Sequence, residues 1–186
     1  DITPRRALLL RNNPSASGWD VWDITPNNED GEPTPLDHPG GMQSDGKHLW
    51  IPLAQSRRGG QSLIRAFPLA EMTPGGMLQW DKEISLMDHI GAVAVDGERR
   101  RIYGASWDTE IVYVWNYDGE LLRQMQPSDL DLRALGISSD RPNGIAVQDW
   151  KFVGDRILAS GLRSSDPGGD GESRSTLLSI HSFESE

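Results

Sequence analysis

The sequence predicts an all-β chain of β-propeller blades, each a four-stranded antiparallel sheet, on three observations. A strand-and-turn pattern recurs three times at a spacing of about 50 residues. Asp-Gly pairs stand at its turns, and a segment of alternating apolar and polar residues follows each copy. The first copy reads His38-Pro39-Gly40-Gly41-Met42-Gln43-Ser44-Asp45-Gly46 and then Leu49 to Leu53. The second reads His89 to Gly97 and then Arg101 to Ala105, and the third Pro142 to Asp149 and then Arg156 to Ser160. Asp45-Gly46 and Asp96-Gly97 are expected to supply the positive φ of tight hairpins.

Third strands are predicted at Leu63–Phe67, Ile111–Trp115 and Leu177–His181, and fourth strands at Met77–Leu86 and Glu120–Gln126. Ala7–Arg11 and Trp19–Ile24 fit a partial copy, giving a partial blade over 1–36 and blades over 37–87, 88–139 and 140–186. That makes about three and a half blades, whereas closed rings typically hold about 4 to 8. Closure then calls for further residues, another chain or second copy, a swapped strand, or an unusually small ring. An open antiparallel sandwich is the structural alternative, and the self-similarity favours the propeller. Pro26–Pro35, Arg57–Gln61 and Ser164–Ser175 read as loops, and Ser128–Leu135 as a short helix capped by Ser128.

Composition narrows the function. The chain of 186 residues carries 28 acidic and 18 basic side chains, a formal charge of −10, so nucleic acid and anionic lipid are repelled on average. Arg99-Arg100-Arg101 is too short to reverse that. With no cysteine there is no disulfide or thiol chemistry. No apolar run approaches the roughly 18 residues of a membrane span, and no signal-peptide core stands at the amino end. The sequence reads as soluble, and a start at Asp1 is compatible with a processed secreted or periplasmic chain, a proteolytic piece or an incomplete record. Nucleophile-elbow, zinc-protease, phosphate-loop and dinucleotide motifs are absent. The acidic loop Asp166–Glu172 lacks the ligand spacing of a calcium hand.

In a propeller the first strand of each blade lines the central channel, so the residues just before it gather at one mouth. His38 and His89 occupy matching places there, preceded by Asp37 and Asp88. Two imidazoles beside two carboxylates suit a divalent metal or general acid–base work near neutral pH. The structural use, in which each Asp-His pair caps its own turn, is favoured because a repeated unit copies structural residues as readily as functional ones. Arg141 and Asn143 stand at the same place in the third copy, and a mixed ring of this kind suits a small anionic or hydroxylated ligand. Trp107 offers a stacking surface past a strand end, whereas Trp22, Trp50 and Trp115 lie in strand patterns suited to packing between blades.

Pro142-Asn143-Gly144-Ile145-Ala146-Val147 resembles the strand openings of six-bladed propellers of the NHL and SMP-30/gluconolactonase type, with a WD40/NHL-like repeat. His38-Pro39-Gly40-Gly41, Asp88-His89-Ile90-Gly91 and Leu49-Trp50-Ile51-Pro52 also resemble an uncharacterised bacterial propeller family. The resemblance covers roughly residues 37 to 160 and carries fold more than activity. It implies a divalent metal, calcium or zinc, at the channel mouth, where Asn143 is the only position that matches the family's motif; the alternative reading, a metal-dependent lactonase or esterase, joins to it the repeat's own candidates, His38, His89 and Asp88 as catalytic and Asp37 and Asp88 as metal residues. The glutamate those enzymes use has no counterpart here. The leading expectation is therefore a propeller that presents His38, His89, Arg141, Asn143 and Trp107 to a small ligand or protein partner.

Overall fold

A computed structural model describes residues 5–14, 18–76, 78–126, 146–154, 156–163 and 172–179. The architecture is all-β. Strands β1 (Leu8–Asn13) and β2 (Gly18–Asp23) form an antiparallel hairpin. A second sheet holds β3 (His38–Pro39), β4 (Gln43–Ser44), β5 (His48–Ala54), β6 (Ser62–Pro68) and β7 (Lys82–Leu86), with β3 and β4 both pairing with β5. The third sheet runs through β8 (Ile90–Asp96), β9 (Arg101–Ser106), β10 (Val112–Asn116) and β11 (Leu121–Met125) in sequence order. The fourth holds β12 (Ala146–Val153), β13 (Arg156–Arg163) and β14 (Glu172–Ser179).

Alternation along these strands gives each sheet apolar faces, and the faces stack in series. Ala7, Leu9, Trp22 and Ile24 of the hairpin segment pack with Ile51, Leu53 and Phe67 of the second sheet. Trp50, Ile64 and Ile84 of that sheet pack with Val93, Val95, Ile102, Tyr113 and Trp115 of the third. Ala92, Ala94, Tyr103 and Val114 pack in turn with Trp150, Ile157 and Ala159 of the fourth. Sheets stacked one after another, each meandering outward from its first strand, are blades and not the two layers of a sandwich.

The first strands converge. Gly41 forms a parallel bridge with Ala92, its N–H donating to the Gly91 carbonyl at 2.9 Å and its carbonyl accepting from Val93 N–H at 2.9 Å. A β-carbon at Gly40 would collide with the Gly91 carbonyl, and one at Gly41 with Asp149, so both positions need glycine for close backbone approach. Gln43 completes the junction. Its Oε1 accepts from Val95 N–H at 3.0 Å and Phe152 N–H at 2.6 Å, and its Nε2 donates to the Phe152 carbonyl at 2.9 Å. One side chain of β4 thus fastens β8 and β12. Among the described residues the first strands bond to one another here.

Several expectations change in detail. Gly46 has positive φ as expected, but in the second copy the left-handed residue is Arg100, not Gly97. That turn is longer, and Asp96 accepts the Glu98 and Arg99 amides inside it. The first strand of the first copy is broken into β3 and β4 by the glycines that meet Gly91 and Asp149. In the third copy the strand does not turn after Asp149 but runs to Val153, with the turn at Gly154. Glu172–Ser175, read as loop for its polarity, belongs to β14 because it continues the register with β13. The fourth strand of the first full blade starts at Lys82, later than expected. Ser128–Leu135 and residues 166–171 of the acidic loop lie outside the described residues.

Candidate functional site

The end of the first strands, at the start of β3 and β8, is built from backbone turns upward. Asp88 ends the loop entering β8; its Oδ1 accepts His89 N–H at 2.8 Å and its Oδ2 accepts the Tyr113 hydroxyl at 2.9 Å. The Ser62 hydroxyl donates to the Asp88 carbonyl at 2.7 Å and accepts Ile90 N–H at 2.8 Å. Both Asp88 oxygens are thereby engaged with the protein, which raises the Tyr113 pKa, burial being the larger cause and the Asp88 contact the second.

His89 is buried at 4% exposure, and its Nδ1 lies 2.7 Å from the Gln55 carbonyl. A carbonyl only accepts, so Nδ1 carries the proton and Nε2 of the neutral ring is an acceptor. Burial lowers the His89 pKa; the Gln55 hydrogen bond raises it, nearby His38 lowers it further and Asp88 raises it. The His89 bond crosses from the third sheet to the loop after β5, tying adjacent blades together. His38 is exposed on β3 with its ring 5.6 Å from that of His89. Trp107 meets His89 edge-on at 4.7 Å and takes the Arg58 guanidinium on its ring at 5.9 Å, while Arg58 pairs with Glu110.

Trp107 opens a 3-10 turn, Trp107–Thr109, and the turn is strained. Thr109 has φ 58°, is fully buried, and its Oγ1 has no hydrogen-bond partner. A β-branched residue in the left-handed region is a genuine outlier, and such strain is held where the surroundings over-determine it, commonly at binding sites.

Beside this cluster lies an open cleft of about 260 Å³ lined by Arg5, Pro35, Asp37, Gln55, Ser56 and Arg57. Gln55 belongs to both: its carbonyl takes the His89 proton and the Arg57 N–H at 2.7 Å, and its Oε1 takes Arg57 Nε at 3.0 Å. The structure therefore brings His38, His89, Trp107 and, through Gln55, Asp37 into one neighbourhood. Asp88 serves the turn and Tyr113, and Arg141 and Asn143 lie outside the described residues. Among the described residues no three His, Asp or Glu side chains come together as metal ligands. Those residues alone do not make a metal centre. Sequence reasoning missed Gln55, Arg57, Arg58 and Thr109, which sit in loops without a pattern; only the place of Gln55 just after β5 pointed to this end of the strands.

The sequence model of one family matches residues 26–173. The chain belongs to DUF6454, a family of unknown function. No curated protein matches this DUF6454 chain. Among solved structures it is similar to the Myceliophteria thermophila Cps50 (Swd1) beta-propeller domain, at 14% identity and a TM-score of 0.43 over 87% of the chain. The DUF6454 chain spans 46% of that structure's length.

Proposed function

We propose that this DUF6454 chain binds a small polar molecule at the end of its first strands, between His38, His89 and Trp107 and the cleft beside Gln55. The strained turn carries the reading, since Thr109 keeps an unfavourable backbone while Trp107 rests against a neutral, buried imidazole. The cleft is smaller than the roughly 300–1,000 Å³ of drug-sized pockets, which suits a metabolite better than a protein side. Metal-assisted lactone or ester hydrolysis would need ligands beyond those described, so binding is the stronger reading.

The imidazole resonances of His38 and His89 test it, followed by NMR during titration with succinate, succinamide, glucose and inorganic phosphate. At least one probe should move both rings saturably, and Trp107→Ala should weaken that response by about tenfold, or ~1.4 kcal/mol. Rings indifferent to every probe would overturn the reading.

Completion of the blade series by another chain is a separate proposal. It rests on the outer face of the β1–β2 hairpin, where Leu8, Leu10, Trp19 and Val21 are all exposed. Sedimentation of the purified chain as a 20.6 kDa monomer at high concentration would overturn it.

A further inference from the structure

We infer that the molecule held at this end of the first strands is a small dicarboxylate, gripped by Arg5 and Arg57 in the cleft; the inference rests on the binding reading above. Five other arginines are held by carboxylates. Arg6 pairs with Asp23, Arg11 with Asp20, Arg65 with Glu83 and Arg99 with Asp96, and Arg58 is paired with Glu110. Arg5 and Arg57 line the cleft, and among the described residues neither makes an ion pair with a carboxylate. In a chain with ten excess negative charges, two guanidiniums in one concavity against the single carboxylate of Asp37 is a local reversal of sign.

The geometry of Arg57 sharpens this. Its Nε is spent on Gln55 Oε1 at 3.0 Å, which anchors the guanidinium and leaves its terminal nitrogens for a ligand. Guanidinium matches carboxylate through paired N–H donors, and an anchored one loses less freedom on binding. Two guanidiniums lining one cleft suit a molecule with two carboxylates, and about 260 Å³ accommodates one of a few carbons. Asp37, in the same cleft, is an acceptor suited to a ligand hydroxyl, and its charge limits the cleft to an excess of one positive charge. Because the Gln55 carbonyl receives both the Arg57 amide and the His89 ring proton, filling the cleft is felt at His89.

The experiment compares succinate with its neutral diamide, succinamide, and with inorganic phosphate, reading amide shifts of Gln55 and Arg57 together with the His89 ring. Succinate should bind at least about tenfold more tightly than either comparator. Arg5→Ala and Arg57→Ala should each weaken succinate by about tenfold with the fold intact by circular dichroism, and Arg57→Lys should recover only part of the loss. Equal binding of succinamide, tighter binding of phosphate, or indifference to both alanine variants would overturn the dicarboxylate. A glucose response at His38 and His89 without a succinate response would overturn it too, while leaving the binding reading standing. Silence of the rings toward every probe would remove both.

Discussion

Gln43 shows how much one residue can organise. Its amide satisfies two backbone N–H groups and one carbonyl of strands that belong to other sheets, at Val95 and Phe152. Removing it leaves several backbone groups unpaired at a packed junction, each costing about 1–3 kcal/mol. Gln43→Ala should therefore lose about 3 kcal/mol or more of stability in urea unfolding. Gln43→Glu, which keeps an acceptor for both N–H groups but sets an oxygen against the Phe152 carbonyl, should also destabilise. His89 gives a pH signature. With its folded pKa below the usual 6.5, the unfolded chain takes up protons first as pH falls, so the stability tied to neutral His89 is present above 6.5 and is lost below it. Thermal melts at pH 7.5 and 5.5 should show a drop that is smaller in His89→Gln. Asp45 has the opposite charge and a lower window. Burial works to raise its pKa, but the amides of His48 and Lys47 and the Trp50 and Tyr117 side chains outweigh that and hold it at about 2. Its stabilisation is in place above 3.8 and disappears as pH falls through about 2.

At the scale of elements, the β1–β2 hairpin has two unlike faces. Trp22 is buried against the second sheet, whereas Leu10 and Val21 are about half exposed and Trp19 is 62% exposed. Trp22→Ala should cost about 3–5 kcal/mol by cavity formation. Leu10→Thr should change monomer stability by no more than about 0.5 kcal/mol, a contrast that chemical denaturation measures directly. The strands themselves were legible in the sequence, because Ile64-Arg65-Ala66-Phe67 and Val112-Tyr113-Val114-Trp115 sit between turn residues and their neighbours repeat. What was not legible has physical causes. The break between β3 and β4 comes from backbones that meet only once three sheets assemble, and Gly40 and Gly41 read alike in isolation. Arg100 rather than Gly97 takes the left-handed position because Asp96 holds a longer turn. Of the site, the equivalence of His38 and His89 was visible from spacing, but Gln55, Arg57 and Thr109 gain meaning only from what folds against them.

Across the whole molecule, sheets stacked in series have no single central core, and each interface depends on its neighbours. The junction at the first strands is what makes the series cooperative. A chain shortened to end before β12 would lose the Phe152 partners of Gln43 and the neighbour of Trp115's sheet at Tyr103 and Val114. It should unfold at lower urea with a shallower transition, read by tryptophan fluorescence. The bond from Gln43 to Phe152 also spans 109 positions of sequence. Contacts that distant are slow to find, because the chain must close a long loop before the contact rewards it. The amide that joins the sheets therefore sets a timetable as well: the inner strand of the first full blade gains its last bonds only when β12 arrives, and Gln43→Ala should slow refolding if this contact forms at the rate-limiting barrier and speed unfolding alone if it forms afterwards.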